Sequence, residues 1–395
     1  MKHSKIIFAV FLSSFSFLLF SSHEQNRFII KIKPISMVLQ DYPSISYQQV
    51  LTPYTFNYKP FFNEEYKNSG TFDECFVLTI PQGRVQGFAG HILLWDTIID
   101  ELLWAKKKEI LKTLEIVPEN KILKIPKKVA VLAQPVCESY CHFMHEVLGR
   151  LALLEMQGIE YDYVYVPILK EYTDDMLDLW GLDRAKIIVP VKNDACVQAE
   201  TLIVPSLVLN SDIGFVNAGF RPHPQTSEYV KNKLLDAALK KDIDTSKFSK
   251  RVFISRADAP KRKIINEDEI FAKFQEHGFV RYELSNLSVV EQILLMHNAE
   301  IVVGEHGAGL TNILFCKPGT LVIELFQKLI DNSNWWIANI AQLNYVPVNC
   351  LDDDLSWAAD WKKYIKKYWS AWSAKTVVPL DKIDEVIKKI VLNRI

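Results

Sequence analysis

The sequence predicts an α/β protein. Short apolar runs rich in β-branched residues alternate with segments of helical period from Lys128 to Leu325, which implies a mostly parallel sheet. One such run, Ile301 to Val303, opens into a turn carrying Gly304, Gly307 and Gly309 and then a helical stretch. The 395-residue chain is 49% hydrophobic and 24% charged with no long low-complexity tract, so it is long enough for two domains with cores.

The elements follow in order. Lys2, His3 and Lys5 precede an uncharged run from Ile6 to Ser22, the pattern of a signal peptide or short signal anchor, with Ser21-Ser22 as a cleavage candidate. Export or membrane attachment is therefore expected. Tyr42 to Gly90 is aromatic-rich and poorly periodic, as expected of irregular strands and loops. Thr97 to Leu114 reads as a helix with a solvated basic patch at Lys106 to Lys108. Lys128–Gln134 then predicts a strand, Ser139–Met156 a helix and Tyr161–Ile168 a strand. Asp174–Leu179 reads as a short helix between that strand and two more, Ala185–Val191 and Thr201–Pro205.

Ser211 to Pro224 lacks a period, contains Pro222 and Pro224, and reads as a linker. After a helix at Thr226–Lys240 a second series begins. Its strands are Arg251–Ser255, Phe279–Leu284, Ile301–Gly304 and Leu321–Leu325. Its helices are Asn266–Gln275, Ser288–His297 and Leu310–Phe315. That order describes a Rossmann-like domain, whose ligand sits at the carboxyl ends of the strands. In the tail, Trp357, Trp361, Tyr364, Tyr368 and Trp372 share one helical face opposite Lys362, Lys363, Lys366 and Lys367. Packing against the core is preferred over resting on a membrane.

Composition also excludes. A net charge of -1 exerts no global pull on nucleic acid, so any anion site is local. Six cysteines in a chain this long do not form a disulfide scaffold, and Cys137 and Cys141 have no second pair at zinc-ligand spacing.

Three constellations can carry chemistry. The backbone amides of Gly307, Ala308, Gly309, Leu310, Thr311 and Asn312 would open a helix and favour a phosphate or carboxylate, with His306 at the rim. A plain strand-to-helix connection is the other reading, and the spacing fits neither G-x-G-x-x-G nor a P-loop. On Ser139–Leu151 an ideal helix places His142, His145, Glu146 and Gly149 on one face, a strip suited to general-base or substrate-binding work. A metal reading of the strip is weak because the pattern is not H-E-x-x-H and no fourth ligand declares itself. Arg256, Lys261, Arg262 and Lys263 form a cationic cluster at a strand end, and Glu324 closes the last strand of the series.

Together these residues resemble glycosyltransferase family 61. Ile254-Ser255-Arg256, Asn266-Glu267, Leu287-Ser288 to Gln292, His306-Gly307-Ala308-Gly309-Leu310-Thr311-Asn312 and Val322-Ile323-Glu324-Leu325 occur in the family's order, after the earlier helix motif matched by His142, Glu146 and Arg150. Ser139, Gly149 and Glu305 stand where Asn, Pro and Pro are usual. The resemblance spans Lys128 to Leu325 and implies a GT-B-like fold, two Rossmann-like domains facing a cleft, here with a C-terminal helical tail. The corresponding division is 1–27 for the leader or anchor, 28–225 for the acceptor-side domain, 226–350 for the nucleotide-sugar domain and 351–395 for the tail.

The resemblance also implies an inverting transferase that moves a sugar of the xylose or N-acetylglucosamine type from a nucleotide diphosphate donor, most commonly UDP-linked, to a glycan or glycoprotein hydroxyl. Glu146 is then the first choice of base, with His142 as partner or rival and His145 and Arg150 as support. Arg256, Lys261, Arg262, His306 and the Gly307–Asn312 turn hold the diphosphate; Glu324, read from its place at the strand end, either accepts ribose hydroxyls or is an ordinary strand-end acid. No metal site is assigned, no covalently bound cofactor is expected, and assistance by a divalent ion stays open. Another GT-B transferase of cell-envelope polysaccharide and an inactive glycan-binding protein are the competing readings. Location in the secretory pathway or on a membrane is expected, with a cytoplasm-facing anchor as the variant.

Overall fold

The computed structural model describes residues 30–58, 69–103, 114, 116–167, 170–192, 194–209, 221–259, 261–327, 331–350 and 375–391. The N-terminal apolar run, the Lys106–Lys108 patch, most of the Ser211–Pro224 linker and the Trp357–Trp372 stripe lie outside the described residues. Among those described, no helix is long and apolar enough to cross a membrane.

Two sheets organise the chain. In the first, β1 (Ser46–Leu51), β2 (Cys75–Pro81), β3 (Leu123–Val131), β4 (Tyr163–Tyr165), β5 (Ile187–Ile188) and β6 (Cys196–Pro205) lie in the order β5-β4-β3-β6-β2-β1. The four strands β5, β4, β3 and β6 are parallel, as expected of the α/β series, whereas β2 and β1 add antiparallel from the aromatic-rich region. In the second sheet, β7 (Arg251–Ile254), β8 (Val280–Tyr282), β9 (Ile301–Glu305), β10 (Leu321–Phe326) and β11 (Asn344–Asn349) are all parallel in the order β8-β7-β9-β10-β11. The order reverses between β7 and β9, which puts the ligand crevice at their carboxyl ends.

The helix expected at Thr97–Leu114 begins instead as a strand. Thr97–Ile99 pairs in parallel with Lys31–Lys33 because its β-branched side chains are buried, and a 3-10 turn at Asp100–Leu102 follows. β11 escaped the sequence reading because Pro347 interrupts its pattern, and it is tolerated because β11 is the edge strand.

The helices that matter are α1 (α-helical Tyr140–His142, a π-helical turn Phe143–Val147, then α-helical Leu148–Met156), α2 (Glu171–Trp180), α3 (Pro224–Leu239), α4 (Glu267–Gln275), α5 (Val289–Asn298) and α6 (Ser333–Ile340). Leu310–Phe315 belongs to a 3-10 helix, Ala308–Phe315. Ser288 and Glu291 cap α5 reciprocally.

One continuous core joins the sheets. It takes Ala130 and Ile203 from the first sheet, Leu148 and Leu151 from α1, Val230 and Leu234 from α3, Ile293 and Met296 from α5, and Val252, Val302 and Val322 from the second sheet. The alternate residues Val129 and Leu202, and Phe253, Val303 and Ile323, face separate cores on the outer sides. The central strands are therefore buried on both faces, which is why they read as unbroken apolar runs.

Candidate active site

The first half of the site begins where β3 ends. Gln134, just beyond that strand, donates from Nε2 to Glu146, and His142 Nδ1 meets the other Glu146 oxygen across one turn of α1. Glu146 is fully buried, whereas the His142 side chain is 22% exposed. The carboxylate thus orients the imidazole, and His142 is the member that reaches the surface. Glu146, the expected first choice of base, is the buried member of the pair, and His142, its expected partner or rival, is the one at the surface. Gln134 was missed by the sequence reading; its place at the carboxyl end of a parallel strand was the available signal.

His145 leaves the strip. The π turn is wider than an α turn, so His145 rotates toward α3, where Nδ1 lies 3.0 Å from Ser227 Oγ. Burial pulls its pKa down to about 3, and nearby His142 acts in the same direction. His145 is a neutral packing residue, and the third donor of the metal reading is absent from the strip. Gly149 shares its face, since a Cβ there would stand 2.9 Å from Val208 Cγ2.

Arg150, expected as support, binds backbone. Its Nη1 donates to Ala133 O at 2.7 Å, and Nη2 and Nε donate to Pro205 O at 2.7 and 3.2 Å. These carbonyls follow β3 and end β6, so Arg150 bolts α1 to the carboxyl edge of the sheet. Burial lowers its pKa to about 10, opposed by the charge of Glu146.

The second half sits at the switch point. After β9, His306 Nδ1 lies 2.7 Å from Glu324 Oε1 and its ring stacks on Phe326 at 5.3 Å between centroids. Glu324 also accepts from Asn334 Nδ2 at 2.8 Å and from Tyr345 Oη, and it is fully buried. Protein groups thus engage both oxygens of the residue expected to accept ribose hydroxyls. Glu324 orients His306 as Glu146 orients His142.

The guanidinium of Arg256 lies directly over Gly307, where a Cβ would stand 1.8 Å from Nη1. Gly307 itself has extended backbone at φ 168°, so close approach rather than conformation demands glycine there. Burial lowers the Arg256 pKa, opposed by Glu305, Asp258 and Glu267. Lys261 is exposed at the tip of the same loop, and its carbonyl accepts from Arg256 Nη2 at 3.3 Å. Arg262 is half-buried at φ 58°, and its carbonyl accepts from Gln327 Nε2 at 3.3 Å. The cationic cluster therefore stands beside the turn. Within the turn, Ala308 and Gly309 are partly exposed, while Leu310, Thr311 and Asn312 point inward.

Asn312 joins the halves. Its Oδ1 accepts from Tyr140 Oη at 2.7 Å, at the start of α1, while Nδ2 donates to Gln292 Oε1 at 3.0 Å. The two His–Glu pairs thus flank one seam between the sheets' carboxyl edges. A separate groove of 760 Å³, lined by Lys128, Glu155, Tyr161, Asp162, Lys186 and Tyr229 among others, contains neither pair and opens at the amino end of β4. Among the described residues, no group of three or more His, Cys, Asp or Glu side chains is arranged to hold a metal ion.

Residues 140–323 match the family described as Glycosyltransferase 61. The matched segment, just under half of the chain, is similar to glycosyltransferase family 61. A stretch of the chain is similar to proteins named EGF domain-specific O-linked N-acetylglucosamine transferase: 31% identical over 101 residues in Mus musculus and in Gallus gallus, and 35% over 101 residues in Bos taurus. Each alignment covers 24% of this chain and 19% of the relative, so the likeness spans about a fifth of those proteins' length.

The family 61 segment includes both His–Glu pairs but for Glu324, which follows it directly. Its departure at Glu305 has a structural role. Glu305 accepts from Ile264 N at 3.3 Å and from Gln327 Nε2 at 2.8 Å, and Gln327 Oε1 accepts from Thr376 Oγ1. The residue therefore ties the cationic loop and the Lys375–Thr376 strand to the turn. Burial pushes its pKa up to about 8, with Arg256 pulling the other way.

Proposed function

We propose that the protein is an inverting glycosyltransferase of GT-B architecture, moving a sugar of the N-acetylglucosamine or xylose type from a UDP-linked donor to a hydroxyl of a glycan or glycoprotein. The observation that carries the reading is the guanidinium of Arg256 laid on Gly307 at the switch point, beside His306 and across the seam from His142. The names of the relatives favour N-acetylglucosamine as the sugar and a protein as the acceptor. The N-terminal apolar run attaches the protein to a membrane or directs its export.

The donor diphosphate rests against Arg256, Lys261 and the amides after Gly307, with His306 held by Glu324. His142 takes the proton of the acceptor hydroxyl while Glu146 orients the ring, and the acceptor oxygen attacks the anomeric carbon from the face opposite the diphosphate. The charge that grows on the leaving diphosphate is stabilised by the guanidinium and the fixed amides.

Isothermal titration with UDP and a transfer assay over a panel of UDP-sugars test this. His142→Ala is expected to lower transfer by about 100-fold or more with UDP affinity unchanged, and Arg256→Ala to weaken UDP binding by roughly tenfold. Full transfer by His142→Ala removes it as the base. Binding of glycans with no response to any nucleotide would favour the glycan-binding reading.

A further inference from the structure

A second group of polar side chains, unused by this mechanism, is buried near the same seam. Arg221, His223 and Asn332 are 4%, 1% and 2% exposed. Arg221 Nε, both ring nitrogens of His223 and both amide atoms of Asn332 have no hydrogen-bond partner among the described residues. Burying such atoms unsatisfied is costly, so their presence in one place calls for a ligand or ordered water.

They do share one place. Trp336 is the common neighbour: Arg221 Cζ lies 5.5 Å from its ring centroid, its indole N–H donates to Pro222 O at 2.9 Å and its backbone N–H donates to Asn332 O at 2.9 Å. Phe72 lies 5.5 Å from the Trp336 ring and 5.0 Å from His223. Arg221 and His223 flank Pro222, which forms an isolated bridge with Leu209. The group adjoins the second His–Glu pair, because Asn334, two residues beyond Asn332, donates to Glu324.

The chemistry selects a class of ligand. Burial lowers the Arg221 pKa only to about 10, so its charge is kept, and Asp331 beside it supplies the opposite charge. His223 is neutral, its pKa lowered by burial to about 4. The set is thus balanced in charge and mixes donors with acceptors, which suits a neutral ring bearing several hydroxyls better than a free anion.

We propose that Arg221, His223 and Asn332 line a subsite for an uncharged, hydroxyl-rich sugar ring, adjoining the nucleotide seat. The assignment deepens the nucleotide-sugar reading and rests on it for the identity of that seat. The ring comes from the donor or from the acceptor, and the experiment separates the two.

The test uses the full chain with methyl N-acetyl-β-glucosaminide and methyl β-xyloside in saturation-transfer NMR, and UDP and UDP-N-acetylglucosamine in calorimetry. Arg221→Gln and Asn332→Leu are compared after thermal melts confirm folding, and either folded variant suffices. A glycoside signal in the wild type that falls at least about tenfold in the variants, with UDP affinity unchanged, supports the subsite. Loss of the affinity advantage of UDP-N-acetylglucosamine over UDP assigns it to the donor. A raised acceptor KM with that advantage intact assigns it to the acceptor. Glycoside signals that respond to the variants in a protein that ignores UDP keep the subsite and defeat the nucleotide reading. Absence of any glycoside signal in the wild type, or its survival in the variants, overturns the proposal and leaves a hydrated cluster.

Discussion

Individual residues at the seam are explained by what lies against them. Gly307 is the sharpest case, since Arg256 occupies the space of its missing side chain. A Gly307→Ala variant displaces the far end of a flexible side chain, so stability should change little while UDP affinity falls by roughly tenfold or more. A melt and a UDP titration on the same sample check this, and unchanged affinity would detach Arg256 from the nucleotide. Glu305 gives a pH signature. Its folded pKa of about 8 exceeds the ordinary carboxyl value of 4.5, so the folded state holds its proton more tightly. That contribution to stability is complete below about pH 4.5 and is lost as pH rises through 8. Glu305→Gln should therefore lessen the fall in Tm between pH 6.5 and 8.5, which melts across that range would show. With Glu305 protonated at neutral pH, the charge of Arg256 stays available to a phosphate.

At the scale of elements, α1 carries the most information. Its sequence predicts a single amphipathic helix, and the helix is there, but the π turn divides one expected face into two. His142 and Glu146 go to the site, and His145 and Gly149 go to the packing against α3 and Val208. Whether a helix contains a π turn depends on what it packs against, so the local period could not reveal it. Arg150 sets the height of this helix on the sheet through three donor contacts to two carbonyls. Arg150→Met leaves those buried carbonyls unpaired and should cost about 3 kcal/mol or more. Urea unfolding measures it; a loss below 1 kcal/mol would mean that the helix does not depend on this anchor.

The whole molecule joins two sheets through one helical layer, and its pH response follows from what that layer and its margin bury. His145 and His223 have folded pKa values of about 3 and 4, lowered by burial from 6.5. Groups depressed in this way contribute stability above pH 6.5 that is lost as pH falls toward 4 and then 3. Below pH 6.5 the protein should therefore become less stable, and His145→Gln should weaken the acid dependence measured by urea unfolding at pH 4.5 and 7. An unchanged slope would show that His145 is not the sensor.

Much was legible from local pattern. The strands from Lys128 to Leu325 declared themselves because both of their faces are buried, and the family's motifs pointed to His142, Glu146, Arg256 and His306. What only the tertiary structure decided was which of these polar groups face outward and what each one touches. Glu324 looks like a strand-end acid in sequence, and only the approach of Asn334 and Tyr345 turns it into the support of His306. Gln134, Arg221 and Asn332 carry no motif, and they acquire meaning only when segments distant in sequence bury them beside the same seam. Periodicity and glycine spacing are set by neighbours along the chain. The partner of a buried polar group is set by packing across it, and no local pattern encodes that.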